Sequence, residues 1–382
     1  MNGTHSGSFR FARIGGIDLR LHYTWIVIAV LIVISLVAQF RVTNADWSTT
    51  TVWVSAIITG LLFFAGLILH ELSHAIVARA RGLPVNRITL FLLGGVAQIE
   101  REPESATTEF LMAIAGPLMS VLFGFVCLAI AHYIFGWQPW TLAHNPGAAI
   151  FEWLGYINFM LAAFNMIPGF PLDGGRVLRS IIWWITGSAD RATRIAAGIG
   201  QIVGWLFIIY SFFRLFTGQG IGAIWLAIIG WFLIQAAGNS LAARQSQSAL
   251  SGLKVSDAMS RNCGTVPSNI SLQDFVDMFL LRTGERCFVV QDEGYLVGMI
   301  TPHEVRQVPR EDWTRTSVRA AMLSLSQMHT LAPDTPLFEA LEQMARQDVN
   351  QMPVVSNGNL LGVLSRGNLL QIIRNRSELK AS

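Results

Sequence analysis

Charge is what this 382-residue chain has least of: Asp, Glu, Lys and Arg make up 13% of it, against 52% apolar residues. A soluble domain carries about 25% charged residues, so much of the chain belongs in a membrane, in keeping with a mean hydropathy of +0.47. Cysteine is nearly absent as well. Cys127, Cys263 and Cys287 form no CxxC or other ligand spacing. That argues against a disulfide framework and suits reduced cytoplasmic thiols. Concentrated positive charge is missing too. The net charge is only +3 and the arginines are spread through loops, which points away from nucleic acid as a partner. No cleavable leader is visible, because the chain opens on polar residues and its first apolar run has no small-residue cleavage site behind it.

What is present is apolar length. By the criterion of about twenty residues per span, six spans are expected: about Leu21–Phe40, Thr51–Ala80, Thr108–Phe135, Ala148–Ile167, Ala192–Phe216 and Ile221–Ala242. The stretch Val177–Gly187 is too short to cross and is expected at the interface. Arg10, Arg13 and Arg20 precede the first span, Arg79, Arg81 and Arg87 follow the second, and Arg176, Arg179, Arg191 and Arg194 separate the fourth and fifth. The alternate loops hold few cations, so both termini are expected on the cytoplasmic side of the plasma membrane. Between the second and third spans, Pro84–Glu100 has a β-branched start and a central Gly94-Gly95 pair. It reads as a strand and a bend, which at membrane depth requires a covering of protein or a cavity. His132 and His144 fall near the opposite face, and Trp137 and Trp140 fit an interfacial aromatic belt.

After the polar linker of residues 243–253 the composition turns soluble, and the chain repeats itself. VSDAM at Val255 returns as VRAAM at Val318, and CFVVQDEGYLVGMIT at Cys287 as MPVVSNGNLLGVLS at Met352. Each copy, about 254–312 and 316–375, reads helix, strand, turn, strand, helix. Two such copies pack as one α/β domain, 254–382, because neither alone buries much core. The membrane domain is 1–242.

The chemistry concentrates in LILHELSHAIVARARG, Leu67–Gly82. An ionisable group at mid-bilayer costs on the order of 3 kcal/mol, and His70, Glu71 and His74 all lie inside this span, ahead of the arginines at its end. His70 and His74 are four residues apart, so a helix projects both from one face within reach of one zinc ion. Glu71 is placed to take a proton from a zinc-bound water, the mechanics of the H-E-x-x-H pattern. Zinc needs a third ligand and one open position. A candidate lies in NMIPGFPLDGGR, Asn165–Arg176, where Asp173 follows the cytoplasmic end of the fourth span. His74 lies about 7–8 Å inside the same end of its helix. Asp173 also has an ordinary alternative, as an acid capping the helix that follows it.

HELSH in a long second span, the Gly94-Gly95 pair after it, and Asn165-x-x-Pro168 followed by Leu172-Asp173-Gly174-Gly175 resemble the site-2 protease family of intramembrane zinc metalloproteases. The resemblance covers about Gly15–Ala242. It implies a six-span core that cuts single-span membrane proteins, often to release a transcription or anti-sigma factor. It also implies Asp173 as third zinc ligand and Asn165 as a group holding substrate or oxyanion, while an unwound substrate segment is expected to add to the edge of the Gly94-Gly95 strand. The C-terminal pair resembles tandem cystathionine β-synthase (CBS) domains, which often bind adenine nucleotides and dimerise. Gly298-Met-Ile-Thr301 and Gly362-Val-Leu-Ser365 carry that likeness and make Thr301 and Ser365 nucleotide-contacting candidates. Glu304 and Asn368 stand where that family usually has a ribose-binding aspartate. A CBS-regulated transporter and a catalytically inactive member of the fold are the alternative readings.

Overall fold

In the computed structural model, the described residues are 7–381 except 92–93, 100–102, 140–144, 218–221, 262, 284, 286–287, 294, 325–327 and 357–358. Trp140, His144 and Cys287 lie outside them. The chain divides into two compact units, one up to Arg244 and one from Gln245 onward.

The first unit opens with a hairpin, β1 (Ser8–Ile14) and β2 (Ile17–His22), and then the helices α1 (Thr24–Thr43) and α2 (Thr49–Ala80). A second hairpin, β3 (Val85–Phe91) and β4 (Gly94–Ile99), precedes α3 (Ala106–Tyr133) and α4 (Pro146–Asn165). The short α5 (Asp173–Thr186), α6 (Ala189–Phe216) and α7 (Gly222–Leu250) follow, and α7 continues past Arg244 into the second unit as helix where the sequence reads as linker. Six of these helices are long and apolar enough to cross a bilayer; α5 is the exception. The caps explain the boundaries. Ser48 accepts from Thr51 N at 3.1 Å to start α2, and Asn145 accepts from Gly147 N at 2.8 Å to start α4. Gly82, at φ +80°, ends α2 in the left-handed region that glycine tolerates.

The four strands form one sheet in the order β1-β2-β3-β4, with β2 and β3 parallel and the outer pairs antiparallel. Ile17, Leu19, Val85, Ile88 and Leu90 bury one sheet face against Ala75 and Ala78 of α2 and Met112 of α3. Arg79 fastens this junction: Nη2 donates to Val85 O at 2.7 Å and to Gly16 O at 3.2 Å, and Nη1 donates to Gly15 O. The sheet thus clamps the half of α2 that carries the histidines. α3 packs against α2, α4 and α5 and lies at the centre of the helices.

Three expectations change in detail. Gly94 and Gly95 lie inside β4, paired with Phe91 and Leu90, rather than at a bend, because the hairpin register runs on to Phe91. The short helix expected at the interface begins four residues earlier, at Asp173, and buries Gly174, Gly175, Val177, Arg179 and Ser180. Trp137 is only 6% exposed, packed in a cluster with Phe40 and Ala131 rather than in an outer belt.

The second unit holds the repeats. The first comprises α8 (Val255–Ala258), β5 (Gly264–Pro267), and α9 (Leu272–Phe275) continuing through a π-helical turn into α10 (Leu281–Thr283). It closes with β6 (Phe288–Asp292), β7 (Tyr295–Ile300) and α11 (Pro302–Gln307). The second comprises α12 (Val318–Ala321), β8 (Leu323–Ser324), α13 (Leu337–Arg346), β9 (Gln351–Ser356), β10 (Asn359–Ser365) and α14 (Arg366–Ala381). The copies exchange segments. Val255 and Ala258 of the first repeat sit in a core with Leu331, Leu337, Val354 and Leu364 of the second. Val318 of the second sits with Phe275, Phe288 and Ile300 of the first. Ser260 and Val363 bond to each other through both backbone pairs at 2.9 Å. Each core is therefore incomplete without the other repeat.

Candidate metal centre

His70 and His74 are one turn apart on α2 and almost fully buried, 2% and 5% exposed. Their Nε2 atoms are 3.2 Å from each other. Asp173, the first residue of α5, brings Oδ2 to 3.2 Å from His70 Nε2 and 3.3 Å from His74 Nε2. The acid does not cap its helix: Leu172 holds the N-cap position and no side chain bonds there. The two glycines after Asp173 permit the close loop before it, since an added Cβ on Gly174 would lie 2.3 Å from Met166 O.

The outer nitrogens of both rings are engaged on α3. His74 Nδ1 is 2.6 Å from Met112 O, and His70 Nδ1 is 2.9 Å from Ser120 Oγ. A carbonyl only accepts, so His74 carries its proton on Nδ1 and, when neutral, presents a bare lone pair at Nε2. Burial alone would raise the Asp173 carboxyl, but hydrogen bonds and charge from His70 and His74 outweigh it. The carboxyl is held well below the usual carboxylate range, in the ionised form that ligates. Two imidazole nitrogens and a carboxylate oxygen thus converge on one point, where a proton or a cation has to lie between them.

Zinc fits that point. A tetrahedral site with bonds of 2.0–2.1 Å spaces its ligand atoms about 3.3–3.4 Å apart, against the 3.2–3.3 Å found here. These three residues form the one His/Cys/Asp/Glu group of metal-binding geometry among the described residues. Gly116 of α3 completes the cradle: a Cβ added there would lie 2.2 Å from His74 Nε2 and 2.6 Å from His70 Nε2. The outward bonds from each imidazole are the kind that orient ligating histidines.

A model of peptidase family M50 matches residues 58–148 and 140–210, and a CBS model matches 255–311 and 318–375. A Synechocystis protein with the provisional name zinc metalloprotease sll0528 is 35% identical over 94% of this chain and 93% of its own. The chain belongs to peptidase family M50. A Mycobacterium tuberculosis protein provisionally named zinc metalloprotease Rip3 is 31% identical over 91% of this chain and 88% of its own. The solved site-2 protease from Methanocaldococcus jannaschii is 29% identical over 61% of this chain and 95% of its own, with a TM-score of 0.43. This M50 chain is a site-2-protease-like zinc metalloprotease, a multi-pass membrane protein with a C-terminal CBS pair. Family membership sets the transporter reading aside.

The other sequence candidates lie around this centre or away from it. Glu71 is half-buried beside His70 on α2. Asn165 is the last residue of α4, and among the described residues no hydrogen bond joins it to the three donors. β4, with Gly94 and Gly95 at its start, is an edge strand of the sheet that packs on α2. Thr301 and Ser365 lie in the other unit and do the same local job. Thr301 Oγ1 accepts from His303 N at 3.2 Å and donates to Glu304; Ser365 Oγ accepts from Asn368 N at 3.1 Å and lies 2.6 Å from Asn368 Oδ1. Each begins a helix.

Sequence reasoning misses the partners on α3 and a buried ion pair, Glu109 with Arg179. Arg179 reads in sequence as one more cytoplasmic arginine. The small-residue AIAGPLMS stretch was the one available signal for α3, since it marks close helix contact.

Proposed function

We propose that the chain is an intramembrane endopeptidase that cuts single-span membrane proteins within or beside their membrane segment, using one zinc ion held by His70, His74 and Asp173. The observation that carries this reading is the convergence of two imidazole nitrogens and one carboxylate oxygen at 3.2–3.3 Å, with His74 Nδ1 turned outward to Met112 O. Zinc, when bound, brings the pKa of a water towards neutrality and polarises a carbonyl.

The rest falls to side chains. Glu71 takes the proton from that water and later delivers it to the leaving amine. The Asn165 amide donates to the substrate carbonyl oxygen as negative charge builds there. A substrate helix keeps its carbonyls in internal hydrogen bonds and must unwind before attack. The β4 edge, beginning at Gly94 and Gly95, receives the freed strand by backbone pairing. The arginine distribution supports a plasma-membrane topology with both termini cytoplasmic, where a cut releases a tethered transcription or anti-sigma factor. The CBS pair senses an adenine nucleotide near Thr301 and Ser365 and joins two chains as a homodimer.

The direct test pairs metal analysis with cleavage of a single-span substrate. Glu71→Gln is expected to keep its zinc and lose cleavage by roughly 10²–10⁴-fold, the usual weight of general acid–base catalysis. Undiminished cleavage would remove Glu71 from the mechanism. A parent protein that holds zinc yet cleaves nothing would favour an inactive member of the fold.

A further inference from the structure

Four residues of α3 fall on one line: Glu109, Met112, Gly116 and Ser120, spaced as side chains on a single helix face are. Three of them meet the metal donors directly. Met112 O and Ser120 Oγ hold the outer nitrogens of His74 and His70, and Gly116 leaves room for both rings. The fourth, Glu109, reaches towards α5. Its Oε1 accepts from Nη1 of Arg179 at 2.6 Å, and Arg179 lies on α5, the helix whose first residue is Asp173. Glu109 is 0% exposed and Arg179 is 7% exposed. Arg179 Nε donates to Thr193 Oγ1 of α6 at 2.8 Å, and its guanidinium lies 5.6 Å from the centre of the Trp183 ring.

A buried ion pair is weak evidence for stability, because desolvation offsets the attraction; its best-attested use is fixing register. α5 is tied to α3 at its far end, Trp184 Nε1 donating to Thr107 Oγ1 at 3.3 Å, but nearer Asp173 the tie is Arg179 to Glu109. The helix begins without a capping side chain, after a loop of proline and glycine, with Gly174 and Gly175 in its first turn. A rotation or slide of α5 would carry Asp173 Oδ2 out of reach of the imidazoles. We propose that Glu109 and Arg179 are positioning residues for the third ligand: the pair keys α5 to the same face of α3 that orients both histidines. One helix thereby sets all three donors, two through their outer nitrogens and the third through a charge pair. This inference rests on the zinc reading above.

A double-mutant cycle on the full-length protein in detergent tests it, with zinc affinity read by competition against a chromophoric chelator. Glu109→Gln is expected to weaken zinc binding by about 10–100-fold when Asp173 is present, the scale of outer-shell effects on metal sites. In an Asp173→Asn background the same change is expected to cost less than about twofold, within ordinary additivity error. Thr193→Val removes the hydroxyl that accepts from Arg179 and donates to Ala189 O within α6, and is expected to show the same dependence on Asp173 with a smaller loss. It stands in for Glu109→Gln if that variant does not fold. Equal losses in both backgrounds would mean a general structural role and would overturn the proposal, as would unchanged affinity with Asp173 present. A parent protein that binds no zinc is a different result: it would overturn the metal reading itself and this inference with it.

Discussion

At Gly116 a single methyl group would take the space in which the imidazoles meet, 2.2 Å from His74 Nε2 and 2.6 Å from His70 Nε2. Helix propensity points the other way, since alanine is better than glycine by about 1 kcal/mol in a helix interior. Gly116→Ala is therefore expected to leave helix content unchanged by circular dichroism and to abolish zinc retention by metal analysis. Zinc retained at the parent level would mean that the rings do not meet as described. The residues differ in how openly the sequence shows them. His70 and His74 are legible as a pair because a spacing of four means one face on any helix. Asp173 is legible only as a candidate, since its neighbours in the chain suit a helix cap equally well and its approach to the histidines is a long-range contact. Glu109 and Arg179 are not legible: each reads as a solvated charge until the fold buries it.

Among the elements, α3 matters most, because it touches α2, α4 and α5 and supplies a partner to each histidine. Its close approach to α4 runs through glycines. A Cβ on Gly155 would lie 2.5 Å from Leu128 Cδ2, and one on Gly124 would lie 3.1 Å from Gly155 O. Packing without a hydrophobic drive between helices depends on such small residues. Gly155→Val is expected to push α4 from α3, lower the thermal unfolding midpoint by an amount equivalent to about 1–3 kcal/mol, and leave zinc content intact. An unchanged midpoint would show that the contact tolerates the added side chain. Six spans are legible from apolar length alone. Their ends are less so: α1 begins at Thr24 rather than near Leu21, because Ile17–His22 is drawn into a sheet by partners at Val85–Phe91. That pairing crosses a helical hairpin, which no local pattern encodes.

Taken whole, the chain joins a membrane unit, whose donors come from stretches about a hundred residues apart, to a soluble unit whose repeats complete one another's cores. The repeat itself is plain in the sequence. Its ligand is harder to read, because Glu304 and Asn368 bond to Thr301 and Ser365, and Asn368 Nδ2 also donates to Ala258 O at 3.0 Å. Calorimetry of the full-length protein with AMP and ATP is expected to show saturable heat that Ser365→Ala weakens. No heat at millimolar nucleotide would leave the pair a structural or dimerising module. The claim on which the rest depends is the metal. Zinc measured per chain in purified parent, His70→Ala and Asp173→Asn proteins tests it most directly. The account predicts one zinc per parent chain, none in His70→Ala and a strongly reduced content in Asp173→Asn; parental zinc content in both variants would contradict it.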